Sequence, residues 1–223
     1  MGRVTRALDR DAGGRLGRTQ FFRQGAQIVV LPDGTLVNAF YRILFDRKQA
    51  AISFEQALFR SSDEGKHWER QDIAVGEFAP AGAFDLELGI PVRDASQIPD
   101  IAVDGSTGAL YLTWQQLGGQ GLVEVVVSRS SDGGFTWSAP VRVSQQSPTV
   151  QSFLPAVSVN ANGTVGVLYY DFRNDVPGDR SLSTDVHLAV FDANLTWLDE
   201  RRVTPMSFDM RQMVLTGARG YFP

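Results

Sequence analysis

Asp171-Phe172-Arg173-Asn174-Asp175 is the densest run of chemically capable side chains in this 223-residue chain. Two carboxylates, a guanidinium and an amide fall within one short segment. Such a set can hold a sugar through hydrogen bonds, or a Ca²⁺ ion through oxygen ligands. The alternative is an Asp–Arg pair that organises a long loop. Arg93-Asp94 repeats the pairing of cation and carboxylate. Trp114 and Tyr170 end apolar runs, where they could stack on a sugar or fill a core. The chain has no cysteine, so neither a disulfide framework nor a thiolate metal site is available.

The elements that must position these groups are marked by a repeated turn. Ser130-Ser131-Asp132-Gly133-Gly134-Phe135-Thr136-Trp137 reads Ser-x-Asp-x-Gly-x-Thr-Trp. Ser61, Asp63, Gly65 and Trp68 repeat it, with His67 in the threonine place. Asp192, Asn194, Thr196 and Trp197 form a third, degenerate copy. The physics of the turn accounts for its residues. The aspartate accepts backbone N–H groups. Gly65 and Gly134 supply positive φ, for which Asn194 is the next best residue. The tryptophan buries its ring and pins the turn to its own hairpin. A structural staple therefore explains the motif, and His67 reads as a turn residue rather than a base.

A strand-like run precedes each turn: Ile52 to Arg60, Val123 to Arg129 and Val186 to Val190. Another follows it, and a second hairpin lies upstream around Asp33-Gly34, Thr107-Gly108 or Asn162-Gly163. Pro99 and Pro155 open two of these hairpins, where a missing N–H is tolerated. Each unit is thus four antiparallel strands, and no helical periodicity competes. The turn aspartates recur after 69 and 60 residues, somewhat longer than the roughly 40–50 residues of common propeller blades. The fold class expected is all-β: three four-stranded blades of a β-propeller, at about 24–77, 95–146 and 151–205, with a fourth starting from 206. Polar, Gly/Arg-rich residues 1–20 read as a flexible arm ahead of the partial propeller, 21–223.

Composition narrows the function classes. Hydrophobic residues make up 43% and charged residues 21%, with a net charge of −4, which is ordinary globular composition. No Lys/Arg cluster provides a nucleic-acid footprint, and no apolar run approaches the roughly 18 residues of a membrane span. Met1-Gly2-Arg3 is followed by no apolar core of an export signal. The partner expected is a glycan or protein on one face of the propeller. No cofactor is implied, and Ca²⁺ is the one ion the loop chemistry would take.

The Ser-x-Asp-x-Gly-x-Thr-Trp pattern resembles the Asp-box, or BNR, repeat of the sialidase superfamily across about residues 22–205. Phe208-Asp209-Met210-Arg211-Gln212 and Gly220-Tyr221-Phe222-Pro223 also resemble bacterial members, where they open a further blade. The resemblance implies a six-bladed ring, of which three blades and a stub are present. The expectation is a fragment, or else two copies that complete a ring as a homodimer. It also implies an extracellular or cell-envelope setting.

Sialidases hold the substrate carboxylate with three arginines, as bidentate Arg–carboxylate geometry favours. They use a tyrosine nucleophile paired with a glutamate, and an aspartate as acid/base. By resemblance, Arg23 and Arg42 take two of the arginine places and Asp46 the acid/base place. Gln24-Gly25 replaces the family's Ile-Pro after the first arginine. The third arginine, the tyrosine and its glutamate would lie mostly beyond Pro223. Asp171, Arg173, Asp175, Arg93 and Asp94 would face the same side of the propeller as Asp46. Two functions follow as expectations. One is a non-catalytic scaffold that binds a glycan or protein. The other is an exo-α-sialidase whose remaining catalytic residues lie further along.

Overall fold

The computed structural model describes residues 5–10, 16–45, 51–93 and 98–213. The described residues are all-β, apart from one 3-10 turn at Met210–Gln212. A first antiparallel sheet runs β1 (Thr5–Arg10), β2 (Leu16–Val30), β3 (Leu36–Phe45), β4 (Ala51–Ser61) and β5 (Ile73–Glu77) in order. A two-stranded hairpin follows, β6 (Ala83–Asp85) and β7 (Ile90–Arg93). The second large sheet comprises β8 (Asp100–Val103), β9 (Leu110–Leu117), β10 (Val123–Ser130) and β11 (Val141–Arg142). The third comprises β12 (Ser152–Val159), β13 (Val165–Asp171), β14 (Ser183–Phe191) and β15 (Trp197–Arg202), with β16 (Phe208–Asp209) against β14.

Burial along the strands explains how these sheets stack. Along β13, Val165, Val167, Tyr169 and Asp171 are buried while the residues between them are half-buried. Successive strand residues point to opposite faces, so one face of β13 enters a core. Val37, Ala39 and Leu58 of the first sheet meet Leu110, Leu112, Trp114 and Val126 of the second. Tyr111, Val125 and Val127, from the second sheet's other face, meet Val165, Val167, Tyr169, Ala189 and Phe191 of the third. Each such large apolar side chain contributes roughly 1.5–3 kcal/mol on burial. A smaller core gathers Ala83, Val92, Val123, Phe153, Leu182 and Met210 at one end of the sheets.

The turns behave as their chemistry requires. Asp132 accepts the Thr136 N–H at 2.9 Å and the Thr136 hydroxyl at 2.6 Å. The Ser130 hydroxyl donates to the Asp132 carboxylate and accepts the Gly134 N–H. Asp63, Ser61, Gly65 and His67 reproduce this set. Trp137 donates to the Gly134 carbonyl at 3.0 Å, and Trp68 packs edge-on to Phe59.

Four expectations need correction. The third turn is tighter: five residues separate the paired Phe191 and Trp197, whereas eight lie between Arg60 and Glu69 and between Arg129 and Ser138. Asp192 still accepts the Asn194 and Thr196 N–H groups, but Trp197 is 41% exposed, and Phe191 and Leu195 are buried instead. Residues 5–10 and 16–20 are not a loose arm, because β1 and the start of β2 are paired strands. Phe208–Asp209, expected to open a further unit, pairs back on β14. Hairpin β6–β7 lies in a stretch given no element from sequence, although Ala83-Phe84-Asp85 buries alternate residues and Gly89 has the positive φ of a turn.

Candidate functional site

The aspartate turns lie at the end of the sheets where β4, β10 and β14 finish. Asp171 lies at the opposite end of its sheet, paired with Ser152 and Asp185. Hairpin β6–β7 reaches the same end. The Gln151 amide bonds both Phe84 backbone groups, and Arg211 grips Asp85 with two bonds of 2.7 and 3.0 Å. Arg211 also donates to Glu87 at 2.8 Å, and Glu87 in turn accepts from the Gly178 backbone. Burial alone would raise the Asp85 carboxyl, but the bonds from Arg211 and the Leu88 backbone outweigh it and lower its pKa.

Two charged clusters sit behind this face. In the first, Arg173 Nε donates to Asp171 at 2.6 Å, one terminal nitrogen to Glu200 at 2.6 Å and the other to the Tyr169 hydroxyl at 2.7 Å. Tyr169 also bonds Glu200. Burial raises the Tyr169 phenol and the Asp171 carboxyl, with Arg173 opposing both. His187 Nδ1 stands 3.4 Å from Asp171 but has no hydrogen bond. Burial lowers the His187 pKa, with Asp171 opposing. In the second cluster, Asp185 is fully buried and accepts from Asn174, Arg202, Thr204 and Ser207 at 2.7–2.9 Å. These bonds outweigh its burial and hold its pKa at about 2.

The sequence-derived residues divide by what they touch. Asp171 and Arg173 pair, while Asp175 accepts the Ser183 N–H separately. Arg23 and Arg42 are directly opposite in the β2–β3 register, and Arg42 is opposite Glu55 across β3–β4. Arg23 grips Asp72 with bonds of 3.0 and 2.5 Å; Arg42 donates to Glu55 at 2.6 Å and to Asp72 at 3.2 Å. Both guanidiniums therefore already hold carboxylates of the chain itself. Arg93 closes β7, and Asp46 and Asp94 lie outside the described residues, as does Gly220-Tyr221-Phe222-Pro223. Trp114 is fully buried, so it is core and not a stacking surface. Tyr170 is half-buried, edge-on to Phe208 and stacked on Phe153. Among the described residues no group of His, Asp or Glu is arranged to hold a metal ion.

Sequence reasoning missed Asp72, Glu55, Asp185, Glu200 and His187. Their partners lie on other strands, and no local motif marks them. Glu55 alone was accessible in principle, since pairing of β3 with β4 sets it opposite Arg42.

No family model matches the chain. A curated sialidase of Bacteroides fragilis (strain YCH46) is 30% identical over 107 residues, covering 40% of this chain and 18% of its own length. The solved Hadza microbial sialidase Hz136 superposes with a TM-score of 0.51 at 17% identity, over 78% of this chain and 36% of that one. An α-L-arabinofuranosidase, Arb93A of Fusarium graminearum, reaches a TM-score of 0.49 at 16% identity, which is too low to argue from. The chain therefore spans far less than the full length of the sialidases it resembles. The chain thus shares a stretch of sequence with one sialidase and its fold with another.

Proposed function

We propose that the three large sheets are successive blades of a sialidase-like propeller, and that this portion is a non-catalytic glycan-binding scaffold. The observation that carries this reading is the state of Arg23 and Arg42. A substrate carboxylate would have to displace Asp72 from Arg23, and Asp72 and Glu55 from Arg42. Exchanging one carboxylate for another at a largely buried pair brings little net gain. The glycan surface proposed is the end of the sheets that carries Tyr170, Phe172 and Phe208. There half-buried aromatic rings offer apolar area beside the exposed Asn174.

The sialidase likeness favours a second reading, an exo-α-sialidase completed by residues outside this chain. A fluorogenic sialoside and a set of immobilised glycans separate the two. Glycan retention without turnover, weakened by Tyr170→Ala in a folded variant, is the expected result. Turnover by the protein translated from the whole gene, abolished by Arg42→Ala with the fold intact, would overturn the scaffold reading. Neither glycan retention nor turnover would sink both.

A further inference from the structure

Hairpin β6–β7 carries apolar residues into water. Leu86 and Leu88 at its tip are 65% and 53% exposed, and Phe84 beside them is exposed as well. The turn that presents them is firmly held. The Asp85 carboxylate accepts the Glu87 and Leu88 N–H groups, and the Asp85 carbonyl accepts that of Gly89. Arg211 grips the same carboxylate, and Gln151 bonds both Phe84 backbone groups. Glu87 reaches across to the Gly178 backbone, inside a turn that the Asp179 N–H closes on the Val176 carbonyl. Val176 is 59% exposed, so the two joined turns together present Leu86, Leu88 and Val176 to solvent.

The rim of this surface is acidic. Arg211 pairs with Asp85 and Glu87. Asp175, Asp179 and Asp209 lie within electrostatic reach of Arg211, but among the described residues they form no ion pair. Their hydrogen bonds come from neutral donors. The Ser183 N–H donates to Asp175, Ser181 to Asp179, and the Leu182 N–H and Gln212 amide to Asp209. Burial raises the Asp175 carboxyl, and the nearby Asp179 and Glu87 add to the rise, as like charges close together do. Arg180, the other cation of this loop, is exposed. The carboxylates around the apolar tip therefore outnumber the cations.

We propose that Leu86, Leu88 and Val176 form a docking surface for a protein segment whose apolar side chains are flanked by lysine or arginine. Clustered apolar residues on a surface mark interaction sites, and a turn that is already rigid loses little freedom on binding. Charge complementarity selects the partner. Asp175, Asp179 and Asp209 would pair with its cations and repel an acidic segment. The same charges disfavour other occupants. A membrane presents anionic headgroups that they would repel. A second copy of this chain, with a net charge of −4, brings no Lys/Arg cluster to meet them. Aliphatic side chains give a sugar no aromatic face to stack on, so this surface stands apart from the glycan surface of Tyr170, Phe172 and Phe208.

The test uses the full chain and fluorescein-labelled peptides, with binding read by anisotropy. One peptide alternates lysine with leucine. A second carries glutamate for every lysine, and a third carries serine for every leucine. The lysine–leucine peptide should bind saturably, and the other two at least about tenfold more weakly. Leu86→Ser should weaken its binding at least about fivefold. Asp179→Asn and added NaCl should each weaken it as well. Thermal melts establish that each variant is folded, and Leu88→Ser serves if Leu86→Ser does not fold. Absence of saturable binding would overturn the proposal. Equal binding of the serine peptide, or no effect of Leu86→Ser, would overturn it too, by showing charge attraction without an apolar contact. Glycan retention lost in folded Leu86→Ser, with no peptide bound, would assign the surface to a sugar instead. Sialoside turnover and glycan retention by the unaltered protein are separate readouts, so the functional reading stands or falls independently.

Discussion

The Tyr111 hydroxyl of the second sheet donates to the Ala193 carbonyl in the turn of the third, at 2.8 Å. The bond joins a fully buried ring to the shortest of the three turns. Tyr111→Phe keeps the packing and removes only the donor, so the loss should be about 0.5–1.5 kcal/mol, the usual worth of one hydrogen bond. Urea unfolding measures it, with the slope unchanged. No change in midpoint would mean that water satisfies Ala193 and that the bond does not tie the sheets.

Asp72 neutralises two arginines that face each other across β2 and β3. Its side chain is 2% exposed, against 23% for Arg23 and 17% for Arg42. Asp72→Asn should destabilise the first sheet by about 2 kcal/mol, below the usual cost for a fully buried pair because both arginines retain some water. Raising the NaCl concentration should shrink the loss in part, since screening weakens the repulsion between two partly solvated arginines. A loss that does not respond to salt would point to packing instead.

Asp185 predicts acid sensitivity. Its folded pKa of about 2 lies below the ordinary carboxylate value. A depressed pKa contributes stability that is fully present above the unfolded value and is lost as pH falls through the folded one. The contribution is about 2 kcal/mol above roughly pH 4, and it fades as pH falls toward 2. Asp185→Asn should remove this segment of the stability–pH curve and lower stability at pH 7, because Arg202 loses its partner. Asp63 and Asp132 act in the same direction, each with a pKa of about 2. An unchanged curve between pH 4 and 2 in the variant would show that these bonds do not persist in solution.

His187 acts higher on the pH scale. It is 3% exposed, with Asp171, Arg173, Glu200 and Asp185 as its charged neighbours. Its pKa is lowered in the folded chain, so just below pH 6.5 the unfolded state binds the extra proton and the folded state does not. Stability should therefore fall as pH drops below about 6.5. His187→Gln should flatten that decline while leaving the one below pH 4. A steeper decline in the variant would mean that Asp171 stabilises the protonated ring more than burial opposes it.

Local sequence determined a good deal of this protein. Asn162-Gly163 between two apolar runs marks the hairpin that β12 and β13 form. Ser130, Asp132, Gly134 and Thr136 form a turn from their own hydrogen bonds, so one motif identified the strand ends on either side. The third copy carried less of this local logic. It lacks the serine, its loop is tighter, and Phe191 and Leu195 are buried where Trp197 is exposed. Only the tertiary structure decided the state of the charged groups. Arg23 is 49 residues from Asp72, and Arg211 is 126 from Asp85. An arginine looks equally available in sequence whether or not the fold brings a carboxylate to it. Ion pairing acts through space, and the spacing of residues along the chain carries no record of which strands will meet.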